Sequence, residues 1–104
     1  MRKARPKTSR SGANVFRDLG FGSEEAEHLL IRGNLMIQIE KILKARGLTQ
    51  TAAAKIMRVT QPRVSDLLRG RIDLFSTDTL IDMLARLGVH VRLVTTQSRS
   101  RRAA

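Results

Sequence analysis

The sequence predicts an all-α bundle of four or five helices with a short C-terminal β-strand. Three observations carry that expectation. Aromatic residues are reduced to three Phe, so the core must come from Leu, Ile, Val, Met and Ala, a set that favours helix-on-helix packing. Apolar residues recur at helical spacing in four separate stretches, three of them closed by a glycine. Beyond the last, Val89-His90-Val91-Arg92-Leu93 alternates apolar and polar side chains and is rich in β-branched residues, as a strand would be.

Each element has its own start and stop. Ser23, followed by Glu24, Glu25 and Glu27, reads as the cap and acidic first turn of a long helix, because anions complement the positive end of the helix dipole. Its apolar residues, Ala26, Leu29, Leu30, Leu35, Met36, Ile37, Ile39, Ile42 and Leu43, form a stripe that widens and turns. Such a helix is buried on more than one side. It either lies against a second subunit or breaks near Gly33-Asn34, and Gly47 ends it in both cases. Thr49 caps a short helix from Gln50 to Met57, Thr60 caps another running to about Arg69 with Gly70 behind it, and Ser76 opens a fourth that stops at Gly88. A lone strand over 89–95 is unstable. Its partner is either the apolar patch Val15-Phe16 with Leu19-Gly20-Phe21 or the same strand of a second copy.

Composition narrows the functional classes. The chain lacks cysteine, which removes disulfides, thiolate metal sites and cysteine nucleophiles and fits a reducing, cytoplasmic compartment. No apolar run reaches the ~20 residues that cross a bilayer, and the N-terminus has neither a secretory core nor the amphipathic face of a transit peptide. Of the +11 formal charge, five cations lie in residues 1–14 and three in 97–104, with no acid at either end, which leaves +3 for residues 15–96. We therefore expect a domain over 15–96 between two disordered basic tails, 1–14 and 97–104, suited to gripping a polyanion. His28 and His90 sit on different elements with no ligand or base spacing, and no glycine-rich phosphate loop or nucleophile elbow is present. No catalytic residue, metal or cofactor is expected.

The stretch Arg58–Gly70, RVTQPRVSDLLRG, puts a proline at the head of an apolar helical face. With Thr60 as cap, Gln61 is the first helical residue and Pro62 the second, among the four N–H groups that have no intrahelical carbonyl, so the missing N–H costs nothing. Pro62 is a start signal. In LTQTAAAKIMRVTQPRVSDLLRG the small Ala54 lets two short helices cross closely, while Ile56, Met57, Val59, Val64, Leu67 and Leu68 supply a shared core. A steep helix pair with a free outer face is the helix-turn-helix, and Gln61, Arg63, Ser65, Asp66 and Arg69 are the exposed residues of its second helix.

GLTQTAAAKIMRVTQPRVSDLLRGR resembles the phage-repressor-type (Xre/Cro-like) helix-turn-helix family in its Leu48-Thr49-Gln50 opening, Ala54, the Val59-Thr60-Gln61 turn and the Arg69-Gly70 ending. With VFRDLGFGSEEAEHLLIRGNL and DLFSTDTLIDMLARLGVHVRL, it is similar to a subgroup of one-domain Xre proteins found as HigA-like antitoxins. The likeness covers about residues 15–95. It implies a phage-repressor-like bundle. Arg58 departs from it, standing where the family has a left-handed glycine; either the arginine is strained by about 1 kcal/mol or the turn differs.

The resemblance also implies roles. Gln50 matches a glutamine that contacts the DNA backbone or braces the reading glutamine. Gln61 matches the base reader at the head of the recognition helix, where an amide pairs bidentately with adenine. Arg63 is positioned to take guanine in the same manner, with Ser65 and Asp66 one turn further along. Thr60, Arg69 and Arg71 suit phosphates, which fix register without carrying sequence information. Against each stands the plainer reading of a solvated polar residue. It weighs most for Asp66, whose carboxylate phosphates repel.

Three binding roles follow. One is a sequence-specific transcriptional repressor, a homodimer on a palindromic double-stranded DNA operator, nucleoid-associated in the cytoplasm. Another is an antitoxin that neutralises a HigB- or RelE-like ribonuclease toxin and represses its own operon. The last is a general nucleic-acid binder driven by the tails, whose affinity collapses with salt and ignores sequence.

Overall fold

The computed structural model describes residues 16–97; the two basic tails, apart from Gln97, and Val15 lie outside the described residues. A single helical turn over 16–18 leads into α1, Ser23–Ala45, followed by α2, Gln50–Met57, and α3, Gln61–Leu68. A 3-10 turn, Ile72–Leu74, then joins α3 to α4, Thr77–Arg86. The architecture is all-helical, as expected. α1 runs unbroken through Gly33-Asn34, and its Met36, Ile39 and Leu43 enter the core beside Ala53, Ala54, Met57, Val64, Leu67, Phe75, Leu80, Met83, Leu84 and Leu87. Ala54 lies at the α2–α3 crossing, almost fully buried.

Helix starts follow local chemistry. Thr49 Oγ1 accepts from Ala52 N at 3.1 Å, Ser76 Oγ from Thr79 N at 3.1 Å, and Thr60 Oγ1 from Arg63 N at 3.4 Å. The last bond is beyond the usual N–H···O range. Thr49→Ala is therefore expected to destabilise the fold by about 1 kcal/mol, and Thr60→Ala by less, as urea unfolding will show. At α1 the cap is Gly22, not Ser23, which is the first helical residue and makes no capping bond. The Gly22 carbonyl, accepting from Ala26 N at 2.8 Å, already begins the ladder there.

Helix ends share one geometry. After α1, Leu48 N donates to Leu43 O and Gly47 N to Lys44 O, with Gly47 at φ 62°. This is the Schellman arrangement, which needs a left-handed residue between the two donors' helix and the exit chain. After α2 the same pair of bonds, Val59 N to Ala54 O and Arg58 N to Lys55 O, forms around Arg58 at φ 59° and ψ 45°. The turn keeps the glycine geometry without the glycine, so the arginine is strained by about 1 kcal/mol.

Two further expectations are corrected. Residues 89–97 form no strand, because a strand exists only through a neighbour's hydrogen bonds. The intrachain candidate, 16–21, is itself a helical turn and a bend. Val89 and Val91 still pack on the core, while Leu93 and Val94 stand 78% and 82% exposed. Ile56 is not part of the shared core. It lies on the outer side of α2, 40% exposed, whereas Val59 and Leu68 are half-buried against the core.

Candidate nucleic-acid interface

α3 buries Val64 and Leu67 and turns the remaining residues outward to different degrees. Gln61 and Pro62 at its head are exposed, Arg63, Ser65 and Asp66 are half-buried, and Arg69 and Arg71 beyond its end are exposed. α2 lies across it and contributes Gln50 from its own first position.

The two glutamines meet. Gln61 Nε2 donates to Gln50 Oε1 at 2.6 Å, so the amides at the heads of the two helices hold one another. This bond uses one of the two Nε2 protons. The other proton and Oε1 of Gln61 stay available, and a donor beside an acceptor is the pattern that complements adenine N7 and N6 in the major groove.

Arg63 is engaged within the chain. Its Nη1 donates to Leu74 O at 3.0 Å, and its guanidinium lies 4.2 Å from the centroid of the Phe75 ring. Both contacts point the group towards the 3-10 turn rather than out along Gln61. In this position Arg63 braces the link between α3 and α4. Sequence reasoning does not find Leu74 and Phe75 as its partners, because a contact eleven residues away through a backbone carbonyl leaves no residue-type signal.

The phosphate candidates divide by location. Thr60 accepts the Arg63 N–H, and its own hydroxyl proton is not used by that bond. Arg69 and Arg71 make no side-chain hydrogen bond or ion pair among the described residues, and neither do Ser65 and Asp66. By contrast Arg32 and Arg86 donate to the carbonyls of Phe75 and Met57, at 3.5 and 3.2 Å, and serve the fold. Among the described residues there is no cluster of three or more His, Cys, Asp or Glu able to hold a metal ion. No helix there is long and apolar enough to cross a membrane.

Two short helices, Gln50–Met57 and Gln61–Leu68, packed on one another through a tight turn define a helix-turn-helix module. The chain belongs to that family: the model described as "Helix-turn-helix domain" matches residues 15–96. Among solved structures it is similar to a chain named "Putative XRE Family Transcriptional Regulator", with a TM-score of 0.68 and 29% identity over 77% of this chain and 90% of that one. No curated protein matches the sequence. The HigA-like subgroup finds no support in these comparisons.

Proposed function

We propose that this chain is a sequence-specific transcriptional repressor that reads the major groove of double-stranded DNA through α3. The observation that carries the reading is the Gln50–Gln61 bond, which orients a base-pairing amide at the exposed head of that helix. Gln61 reads adenine, Gln50 positions it, and Thr60, Arg69 and Arg71 bind phosphates. Arg63, Ser65 and Asp66 are the further groove candidates, and in the free protein Arg63 also holds the α3–α4 link. The similarity to an XRE-family neighbour supports the same reading.

One short recognition helix buries too little surface for specific affinity, so the working form is a homodimer on a palindrome with half-sites ~34 Å apart. The cytoplasm, on the nucleoid, is its place. The basic tails, 1–14 and 97–104, add sequence-independent attraction to the duplex. The test is a binding selection on random duplex DNA with wild type and Gln61→Ala. The variant is expected to lose preference at one base step in each half-site and keep its general affinity; equal binding of all sequences by the wild type rejects the reading.

One observation favours an added antitoxin role. Four of the nine acids, Asp18, Glu24, Glu25 and Glu27, lie within ten residues at the start of α1, beside exposed Leu19 and Phe21. In a chain of charge +11 this acidic and apolar end suits a basic protein such as a ribonuclease toxin. Co-purification with the product of a neighbouring small toxin gene decides it.

A further inference from the structure

Among the described residues, five helical segments end with the same long bond, from the residue after a left-handed position to the carbonyl five back. The pairs are Phe21 to Phe16, Leu48 to Leu43, Val59 to Ala54, Arg71 to Asp66 and Val89 to Leu84. Four of the left-handed positions are Gly20, Gly47, Gly70 and Gly88; the fifth is Arg58, the single non-glycine residue with positive φ among those described. Glycine is thus the sequence's ordinary solution, and the helix-turn-helix turn is where it is set aside.

Nothing among the described residues accounts for the arginine. Its side chain is exposed and has no hydrogen bond, ion pair or ring contact among the described residues. No acid occurs between Gln50 and Ser65, so the charge has no local counterpart. Backbone strain acts against Arg58 in the free protein with no contact among the described residues to offset it. An anion at the turn offsets it.

We propose, resting on the DNA-reading function above, that Arg58 grips a backbone phosphate beside the head of the recognition helix. Two residues of chain span at most ~7 Å, so Arg58 stays close to Thr60, and a long guanidinium side chain at the turn reaches the strand that borders the groove. Arg69 and Arg71 stand at the opposite end of α3. Phosphate contacts at both ends set the depth and register of the helix while Gln61 does the reading. The contact is independent of base sequence.

The test compares wild type, Arg58→Gly and Arg58→Lys by thermal melting, by base preference on a selected duplex, and by the slope of log affinity against log salt. Arg58→Gly is expected to melt higher by ~4–8 °C, to bind more weakly, to lose ~0.9 from the salt slope, and to keep the wild-type base preference. Arg58→Lys is expected to retain the slope. Unchanged affinity and slope in Arg58→Gly, with a wild type that still prefers its site, overturns this contact alone. A wild type without any sequence preference overturns the DNA-reading function and this contact with it. Because the glycine relieves strain, weaker binding will not be confused with unfolding.

Discussion

Phe75→Ala is expected to remove about 3–5 kcal/mol of folding stability, the usual range for deleting a fully buried phenyl ring. Phe75 is 1% exposed and is the largest of the fully buried side chains, at the junction of the 3-10 turn and α4. Its backbone carbonyl accepts from Arg32 on α1, and its ring carries the Arg63 guanidinium from α3. One residue therefore ties three helices. The cavity left by the ring cannot be refilled easily, because its neighbours already sit in a packed core. For a domain of this size the whole stability is on the order of 4–12 kcal/mol, so the variant should be largely unfolded at modest urea concentrations. Phe75→Leu separates the two contributions. It keeps most of the apolar volume but removes the ring face, which is worth about 0.5–1 kcal/mol to a partly exposed cation. A loss below about 1 kcal/mol for Phe75→Ala would show that the link between α3 and α4 is not anchored here. DNA affinity should fall with stability, since α3 is held outward only while that link is fixed.

What was legible in the sequence was what local chemistry decides. Thr49, Thr60 and Ser76 cap the helices they precede because a hydroxyl three residues ahead of a free N–H needs no distant partner. Gly47, Gly70 and Gly88 mark helix ends because only the backbone conformation is at stake. Pro62 falls among the unpaired N–H groups of the first turn of α3. Of the expectations that failed, Ser23 as a cap was displaced by its neighbour Gly22, and the others depend on groups far away in sequence. Val89 to Leu93 has a strand's alternation but meets no edge to pair with among the described residues of one chain, and hydrogen-bond partners are invisible in a hydropathy pattern. Ile56 has the spacing of a core residue, yet which side of an eight-residue helix faces inward is set by the crossing with α3. The intrachain partners of Arg63, a carbonyl and a ring beyond the end of α3, likewise leave no mark in the sequence. Of the proposed site, the pairing of Gln50 with Gln61 is the part whose geometry agrees with the bracing that the family resemblance implies.

Gln61→Ala is expected to reduce binding to the preferred duplex by about 1–3 kcal/mol, the discrimination that one bidentate amide–adenine pair supplies. Binding to a duplex with that adenine replaced should change little. Gln50→Ala removes no base contact, yet it frees the Gln61 amide, which must then lose rotamer freedom on meeting the base. A smaller loss on the preferred duplex follows, with the difference between the two duplexes partly kept. The decisive quantity is the coupling between the sites. If Gln50 acts only by orienting Gln61, the double variant binds no worse than Gln61→Ala alone, because there is no amide left to orient. If Gln50 contacts a backbone phosphate independently, the two losses add, and the Gln50 share appears equally on both duplexes and weakens with salt. Equilibrium titrations of the four proteins on the two duplexes at two salt concentrations separate these outcomes. The 2.6 Å bond between the amides in the free protein favours the coupled one: a preset donor and acceptor at the head of α3 needs less ordering when the groove arrives.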